Sequence, residues 1–448
     1  MRELKKHIGE NNLTYFIETY GCQMNSHESE KIAGVLESLG YLPAGDKNKA
    51  NLLMYNTCCI RQHAEAKLNS NIGALKDYKN SVKGAVIAVC GCMMQQEGAA
   101  KKLMNRFPFV DMAFGTNAIH RLGQMLSAVL LDGKRAVATD EDETIIEGIP
   151  VKRAKKAGAY VNIIYGCDNF CSYCVVPYVR GRERSRNVND ILAEINQLCG
   201  KGITEITLLG QNVNSYSDGT KDGGAFARLI RRIDKETDIK RVRFMTSHPK
   251  DMSADLIECF GGVQSLCEHI HLPVQSGSSR VLSAMNRGYS RERYLDLLYR
   301  LKERVPYLAV TTDIIVGFPG ETDEDFELTL SLVKEARFDA AYTFAYSPRK
   351  MTKAAAMQNQ LSNRVKSERL EVLNKLIKDI MRQKNNEYLG KTVEVLADSV
   401  SKRSYNEISG RTRTAKTVNI TGTKEDIGKY INVTVDKVMA HTLKGIRA

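Results

Sequence analysis

Tryptophan is absent from the sequence, and aromatic residues make up only 7% of its 448 residues. Uninterrupted apolar runs are only a few residues long, as at 128–131. A membrane-spanning helix needs about 20 predominantly apolar residues in a row, and a secretory signal needs an apolar core that the lysine-rich start of this chain lacks. These absences predict a cytoplasmic protein with no membrane partner.

Neither disorder nor a fibrous fold fits the composition, because 43% of the residues are hydrophobic and 26% are charged. At roughly 150 residues per domain, the length predicts two to four domains, each able to bury a core. The net charge of +13 at pH 7 permits an acidic partner such as RNA, DNA or a membrane surface.

The sequence contains eleven cysteines, although it lacks tryptophan and has few aromatic residues. An odd number cannot pair completely, and a reducing cytoplasm does not keep structural disulfides. Clustered cysteines in an intracellular protein indicate metal or redox chemistry before cross-linking.

A repeated pattern of strand, turn and cysteine marks the first block, residues 13–130. Apolar strands are predicted at Thr14–Thr19, 50–56 and 84–90, each followed by a helical pattern. After the first strand, Asn25 and Glu28 have the spacing of a capping box and predict a helix start there. Buried strands that alternate with helices are typical of a doubly wound parallel sheet.

Three of the cysteines, Cys22, Cys58 and Cys92, follow the carboxyl ends of these predicted strands. Strand ends of a doubly wound sheet open onto one edge, so we expect the three thiols to share a site. The alternative is three separately buried thiols, since cysteine is among the most buried residue types. We expect Cys90 and Cys59 to be structural, although Cys59 could compete with Cys58 as a ligand.

A connector at 131–157 leads into a second α/β block at 158–384. Six strands alternate with helical patterns there, at 160–165, Glu205–Leu209, 242–245, 269–272, 308–315 and Ala340–Ala345. About six β/α units are long enough for a partial (β/α)6 barrel, in which chemistry lies at the carboxyl ends of the strands.

The last block, 385–448, changes to short β-like runs at 392–396, 417–420 and Tyr430–Val438. Short strands separated by turns predict a small β-barrel. Such barrels are a common scaffold for binding single-stranded nucleic acid.

A C-x3-C-x2-C motif, Cys167, Cys171 and Cys174, follows the first strand of the predicted partial barrel. Three thiolates from one short loop can hold three irons of a 4Fe–4S cluster and leave the fourth iron open. A structural zinc site needs four ligands, and no fourth cysteine or histidine lies nearby. A thioredoxin-type pair at Cys171 and Cys174 would leave Cys167 without a role.

This spacing resembles the radical S-adenosylmethionine (SAM) superfamily, and the likeness extends over nearly the whole chain to its methylthiotransferase family. The last block resembles a TRAM domain, an RNA-binding barrel. The motifs that carry the likeness are ETYGCQMN at 18–25, NTC at 56–58, GCM at 91–93, VPYVRGRERSR at 176–186, LGQNVNSY at 209–216, SHP at 247–249, HLPVQSG at 271–277, DIIVGFPGET at 313–322, YSPR at 346–349 and SGRT at 409–412.

The resemblance implies two 4Fe–4S clusters and SAM as cofactors. Cys167, Cys171 and Cys174 would hold the cluster that binds SAM and cleaves it to a 5′-deoxyadenosyl radical, which abstracts hydrogen from C2 of an adenine. Cys22, Cys58 and Cys92 would hold an auxiliary cluster as the sulfur source, and a second SAM would supply the methyl group. A low-potential electron donor and iron–sulfur assembly machinery are implied partners.

The implied substrate is N6-isopentenyladenosine at position 37 of the tRNA anticodon stem-loop, converted to its 2-methylthio derivative. Rivals within the family act on threonylcarbamoyl-adenosine in tRNA or on an aspartate of a ribosomal protein. A rival of another class is a non-catalytic iron–sulfur sensor that binds RNA.

Position at the predicted strand ends suggests a set of SAM contacts. The candidates are Tyr173, Gln211, Asn212, Ser247, Gln275, Asp313 and Gly317. Ordinary loop capping is the alternative for the Gln and Asn residues, and His248 and His271 are equally consistent with structural roles.

Two groups of basic residues are candidates for RNA contact through the phosphate backbone. They are Arg180, Arg182, Arg184 and Arg186 after the cysteine loop, and Arg411, Arg413 and Lys416 in the last block. The alternative is a solvated run of charge on the protein surface.

Overall fold

The computed structural model describes residues 1–59, 68, 70–140, 144–153, 156–220, 222–401 and 406–448. The chain divides into two compact units. The N-terminal unit comprises Met1–Ala154 with two later segments, Tyr165–Asp168 and Val175–Arg184; the C-terminal unit comprises Lys155–Ile164, Asn169–Cys174 and Ser185–Ala448. The segment after the cysteine loop, predicted as part of the second block, therefore packs with the N-terminal unit.

A six-stranded parallel sheet forms the centre of the N-terminal unit, in the order β2-β1-β3-β4-β5-β6. Its strands are β1 Thr14–Thr19, β2 Leu42–Pro43, β3 Leu52–Thr57, β4 Val86–Gly91, β5 Met112–Phe114 and β6 Ala136–Ala138. The prediction of a doubly wound parallel sheet is confirmed. The strand order reverses between β1 and β3, which is where such sheets bind ligands.

Both faces of this sheet are covered, because side chains along β3 alternate between two cores. Leu52 and Met54 pack on one face, and Leu53 and Tyr55 pack on the other. The helices of this unit are α1 Arg2–Glu10, α2 Gln23–Leu39, α3 Leu75–Ser81, α4 Ala99–Arg106, α5 Leu122–Leu130 and α6 Val176–Arg180. Burial on two faces explains why the strands read as continuous apolar runs.

Helix α2 starts at Gln23 with Cys22 as its N-cap, so the predicted capping box at Asn25 is wrong. The Asn25 side chain is fully buried and bonds to the end of β3 instead of to its own helix. A tertiary partner has therefore displaced the local cap.

The barrel prediction for the second block is confirmed by six parallel strands in two three-stranded sheets. An isolated parallel bridge pairs Val242 of the first sheet with Leu266, which lies just before the second sheet begins. Their strands are β7 Gly158–Asn162, β8 Glu205–Leu209, β9 Arg241–Phe244, β10 His269–His271, β11 Ala309–Val316 and β12 Ala340–Ala345. The helices around them are α7 Val188–Gly200, α8 Ala225–Glu236, α9 Ala254–Cys259, α10 Ser279–Ala284, α11 Arg291–Arg304, α12 Asp323–Ala336 and α13 Asn363–Asn386.

The C-terminal block is a closed barrel of five strands, as predicted. They are β13 Thr392–Val400, β14 Glu407–Thr412, β15 Thr417–Thr421, β16 Tyr430–Val438 and β17 Leu443–Arg447. The sequence pattern missed β14 and β17, whose apolar residues are interrupted by glycine and charged residues. A small core that includes Val395, Ile408 and Val433 fills the barrel.

Ionic contacts join this small barrel to the β/α strands of the same unit. Arg241 on β9 donates to Glu394 Oε1 at 2.5 Å and to the carbonyl of Arg411 at 3.0 Å. Arg243 donates to the carbonyls of Thr412 and Arg413 at 2.7 and 2.8 Å. None of the described helices is long and apolar enough to cross a membrane.

Candidate active site

Three strand ends converge at the predicted cysteine site of the N-terminal unit. Cys22 follows β1, while Cys58 and Cys92 directly follow β3 and β4. Gly21 has a φ of +129°, and a Cβ there would lie 2.7 Å from Cys58 Cβ. The chain therefore needs glycine at 21 to bring the first two strand ends this close.

Asn25 ties these ends together from the first turn of α2. Its side-chain oxygen lies 3.2 Å from Cys22 Sγ, and its nitrogen donates to Asn56 Oδ1 and to the carbonyl of Thr57 at 3.2 and 3.0 Å. Cys58 and Cys92 are each 2% exposed, whereas Cys22 is exposed. One thiol of the set is thus open to solvent and two are buried.

A buried arginine reaches the same site from α6. Arg180 donates to Cys92 Sγ at 3.0 Å and to Glu28 Oε1 at 2.7 Å. A hydrogen bond from Cys59 and the positive charge of Arg180 lower the pKa of the Cys92 thiol, against the opposing effect of burial. The thiolate is the form of cysteine that binds metal, and the Arg180 guanidinium lies within hydrogen-bond distance of this sulfur. Cys59 contacts Cys92 within the described structure, so its role as a possible competitor of Cys58 stays open.

Cys167 lies in a tight turn of the N-terminal unit. Gly166 has a φ of +76°, and a Cβ there would lie 1.9 Å from the carbonyl oxygen of Arg182. The Cys167 amide donates to the carbonyl of Gly181 at 3.2 Å. Glycine at 166 is needed for this close approach of two backbone segments.

The other two cysteines of the motif belong to the C-terminal unit. The Cys174 amide donates to the carbonyl of Cys171 at 2.9 Å, which closes a turn. Arg287 is 5% exposed and donates to Cys171 Sγ at 3.3 Å and to the carbonyl of Pro273 at 3.1 Å. This second buried guanidinium fixes the direction of the Cys171 sulfur.

The donor sets fit iron–sulfur clusters by their chemistry. None of these six cysteines is joined in a disulfide, and thiolates are the ligands of such clusters. In the part of the chain that the structure describes, no three His, Cys, Asp or Glu side chains are grouped to hold a single metal ion.

Buried polar atoms that lack a protein partner mark the carboxyl ends of the β/α strands. Both side-chain atoms of Asn162, Asn212 Oδ1, Ser247 Oγ, His248 Nε2 and Gln275 Oε1 have no hydrogen-bond partner among the described residues. Each of these side chains is less than a tenth exposed. Buried polar atoms without partners are costly, so they indicate a polar ligand at this end of the barrel.

The predicted SAM contacts divide into two groups. Asn212, Ser247 and Gln275 are among the residues with unpartnered atoms. Tyr173 lies 3.4 Å from an Arg287 nitrogen, Asp313 lies 3.5 Å from His271, and Gly317 donates its amide to Glu321. Gln211 is half-buried after β8.

Sequence reasoning missed Asn162 and Arg287 as site residues. Asn162 is the last residue of β7 and is 1% exposed. The signal available in the sequence was a polar residue at the end of an apolar strand. Arg287 had no local signal, because its contacts with Cys171 and Pro273 span more than 10 residues.

The two histidines differ in their surroundings. Burial lowers the pKa of His248 far below its ordinary value, with further contributions from the charges of Arg287 and Lys250. His248 is therefore neutral at physiological pH. His271 contacts Thr311 Oγ1 at 3.0 Å, which is consistent with a structural role.

Most of the predicted RNA-binding residues of the first group form contacts within the protein. Arg180 and Arg186 are each 7% exposed and form ion pairs, the latter with Glu194 at 2.7 Å. Arg184 is half-buried and donates to the carbonyl of Arg180. Only Arg182 of this group is exposed, and it pairs with Asp168.

The second basic group lies where the small barrel meets the β/α strands. Arg413 donates to Glu268 and to the carbonyl of Leu266, and Lys416 Nζ lies 3.0 Å from Asp339. Arg411 donates to Asp398 at 3.1 Å. Arg413 and Lys416 thus pair with carboxylates of the β/α part of the unit, whereas the Arg411 pair lies within the small barrel.

Three family models match the chain. The radical SAM superfamily matches residues 161–333, the TRAM domain matches 386–446, and Uncharacterized protein family UPF0004 matches 14–115. The matched ranges follow the β/α strands, the five-stranded barrel and the parallel sheet in turn.

Two curated relatives share about half of their residues with this chain. One from Caldicellulosiruptor saccharolyticus is 51% identical over 435 residues, covering 97% of this chain and 92% of the relative. One from Clostridium tetani is 50% identical over 433 residues, covering 96% of each. Both are named tRNA-2-methylthio-N(6)-dimethylallyladenosine synthase.

The chain belongs to this synthase family. Synthases of this family form the MiaB branch of the radical SAM methylthiotransferases, the group that the sequence motifs indicated. As a member, the protein is a radical SAM enzyme that uses SAM and 4Fe–4S clusters.

Solved structures agree with the synthase fold at low sequence identity. The methyltransferase TsrM from Kitasatospora setae has a TM-score of 0.57 at 14% identity, with 77% of each chain covered. OxsB, a cobalamin-dependent SAM radical enzyme, has a TM-score of 0.51 at 13% identity and covers 85% of this chain and 57% of its own. At this identity the likeness describes the fold alone.

Proposed function

We propose that the protein inserts sulfur and a methyl group at C2 of N6-isopentenyladenosine (N6-dimethylallyladenosine), next to the anticodon at position 37 of tRNA. Full-length similarity to synthases of this name is the observation that carries the proposal. Two separate sets of three cysteines support it, because the reaction needs one site that generates a radical and another that supplies sulfur.

We assign Cys167, Cys171 and Cys174 to the cluster that binds SAM, and Cys22, Cys58 and Cys92 to the auxiliary cluster. When bound, these groups supply one-electron cleavage of SAM and the inserted sulfur. Arg287 orients the Cys171 sulfur, and the hydrogen bonds of Asn25 hold the start of α2 against the end of β3.

Residues at the strand ends of the C-terminal unit would bind SAM. Asn162, Asn212, Ser247 and Gln275 offer buried polar atoms that a ligand with amino, carboxylate and ribose groups can satisfy. His248 is held neutral by burial, so we assign it no acid–base step. Abstraction of a hydrogen atom needs no pKa-matched base.

The TRAM domain and exposed cations would bind the tRNA anticodon stem-loop. Of the first basic group, Arg182 is the residue whose exposure fits phosphate contact. A target base has to leave its stack to expose C2 to the enzyme, and an anticodon loop makes that step inexpensive. We also propose a cytoplasmic location, a low-potential electron donor and iron–sulfur assembly machinery as partners.

Mass spectrometry of tRNA nucleosides from cells with and without this chain tests the proposal. We expect 2-methylthio-N6-isopentenyladenosine only when the chain is present. Loss of 2-methylthio-N6-threonylcarbamoyladenosine instead would assign the rival tRNA substrate, and unchanged tRNA would contradict both readings.

Variants of two neighbouring cysteines sharpen this test. Cys92→Ala should still cleave SAM but form no methylthio product, because one ligand of the auxiliary set is gone. Cys90→Ala is the matched control, since Cys90 is buried in the sheet core. Normal product from Cys92→Ala would remove Cys92 from the assignment.

A non-catalytic iron–sulfur sensor is the rival of another class. It would explain the cysteines, but it does not require the unpartnered polar atoms at the strand ends. Reduction of the reconstituted protein with SAM separates the two, since an enzyme forms 5′-deoxyadenosine and a sensor does not.

A further inference from the structure

Arg180 is a buried charge that the proposed function has not used. Its guanidinium is 7% exposed and lies among side chains of the N-terminal unit. Burying an arginine costs free energy unless hydrogen bonds and an opposite charge compensate. Glu28 compensates it at 2.7 Å, and the second nitrogen points at Cys92 Sγ, 3.0 Å away.

Glu28 and Arg180 form a fixed pair beside the thiol. Glu28 is 5% exposed on α2, and only one of its carboxylate oxygens has a partner among the described residues. An arginine side chain keeps its charge in proteins, so these contacts place a positive charge directly beside the Cys92 sulfur.

We propose that Arg180 is a positioning residue for the auxiliary cluster: it orients the Cys92 thiolate and offsets negative charge brought by the three cysteines. This inference rests on the proposed function, in which Cys92 is one of the ligands. It also replaces the role in RNA binding that the position of Arg180 in a basic run suggested.

A guanidinium suits this task better than an ammonium group. Its planar fork lets one nitrogen bind Glu28 while another binds Cys92, which fixes the direction of both bonds. Hydrogen bonds to cluster sulfurs and local charge set the reduction potential of such sites. Groups that hold a ligand in place typically contribute 10–100-fold to metal affinity.

The second cysteine set has a comparable contact in its own unit. Arg287, which is 5% exposed, donates to Cys171 Sγ at 3.3 Å. Each proposed cluster therefore has one ligand that accepts a hydrogen bond from a buried arginine. Two independent occurrences favour a shared function over incidental packing.

The test uses the full-length chain with Cys167, Cys171 and Cys174 changed to alanine, so that only the auxiliary cluster forms. After anaerobic reconstitution, iron and sulfide are counted, the midpoint potential is measured by an EPR-monitored titration, and cluster loss to a chelator is timed. The variants are Arg180→Gln, Arg180→Lys and the double variant Arg180→Gln with Glu28→Gln. Arg106→Gln is the matched control, because Arg106 is an exposed arginine at the end of α4 in the same unit.

We expect Arg180→Gln to lose its cluster about tenfold faster and to have a more negative midpoint potential, because the reduced site gains charge that nothing offsets. Arg180→Lys keeps the charge, so its potential should stay closer to that of the parent while its cluster is still lost faster. Arg106→Gln should match the parent in both measurements.

Parent-like potential and cluster loss in Arg180→Gln would overturn this inference and leave the proposed function intact. If that variant does not fold, the double variant decides instead, because it leaves no buried charge unpaired. A parent chain that binds no iron would overturn the auxiliary site and this inference together. Weaker tRNA binding with an unchanged cluster would return Arg180 to an RNA-binding role and also overturn it.

Discussion

Individual cysteines define the two proposed cluster sites, and the groups around each cysteine shift the pKa of its thiol. Cys92 receives hydrogen bonds from Arg180 and Cys59, which lower its pKa. Cys90, two residues away, has its pKa raised well above the ordinary value by burial. Two thiols at the end of one strand therefore have their pKa values shifted in opposite directions.

Cys171→Ala should abolish SAM cleavage, because two remaining thiolates cannot hold three irons of the cluster. We expect 5′-deoxyadenosine to fall to background in an assay with reductant and SAM. Cys199→Ala, on the half-buried face of α7, should stay within about twofold of the unmodified protein. Retained cleavage in Cys171→Ala would exclude Cys171 as a ligand.

Asn162→Ala should weaken SAM binding, because the buried oxygen and nitrogen of the Asn162 side chain have no hydrogen-bond partner among the described residues. One lost hydrogen bond is worth about 1 kcal/mol, so the KM for SAM should rise about fivefold to tenfold. Asn196→Ala is the control, since Asn196 is exposed and donates to a carbonyl at the end of α8. An unchanged KM would place Asn162 outside the SAM site.

At the scale of secondary-structure elements, the edge of the β/α sheet serves as the attachment for the small barrel. Arg241 and Arg243 on β9 reach across to backbone carbonyls at the end of β14. In the opposite direction, Arg413 of the small barrel donates a hydrogen bond to Glu268, which precedes β10. These arginines would otherwise favour solvent, and their charges are compensated where the small barrel meets the β/α strands.

Arg241→Ala should lower the free energy of unfolding by about 2–3 kcal/mol, since hydrogen bonds to a charged group are lost and Glu394 loses its partner. Chemical denaturation of the anaerobic protein measures the change. Arg232→Ala removes an exposed pair with Glu236 and should cost no more than about 0.5 kcal/mol. Equal effects of the two variants would contradict a stabilising role for the β9 contacts.

For the whole molecule, the net charge of +13 predicts salt-sensitive binding of RNA. Deletion of residues 385–448 should weaken tRNA affinity and flatten the dependence of log K on log salt, because exposed cations of this domain, such as Lys429 and Lys437, are removed. Filter binding across a salt series, with circular dichroism as a folding control, makes the measurement. An unchanged slope would show that the TRAM domain makes no ionic contact with tRNA.

A single exposed cation has a smaller expected effect on the same slope. Arg182→Gln should reduce its magnitude by about one, the value of one lost phosphate contact, and weaken binding uniformly across tRNA sequences. No change would leave Arg182 as a surface pair with Asp168.

The sequence by itself predicted the parallel sheet and the barrel at the carboxyl end, and it placed three cysteines directly after strands of that sheet. These features depend on local sequence. A run of apolar residues predicts a buried strand, and a cysteine that directly follows the run must lie at the end of that strand. The starting residue of α2 could not be predicted, because Asn25 bonds to residues more than 30 positions away.

Only the tertiary structure decided where the charges lie. Arg180 and Glu28 are 152 residues apart in the sequence, and Arg413 and Glu268 are 145 apart. A basic run looks the same in the sequence whether its charges face solvent or are neutralised inside the fold. The distinction depends on the partner, and folding brings the partner into contact from a distant part of the chain.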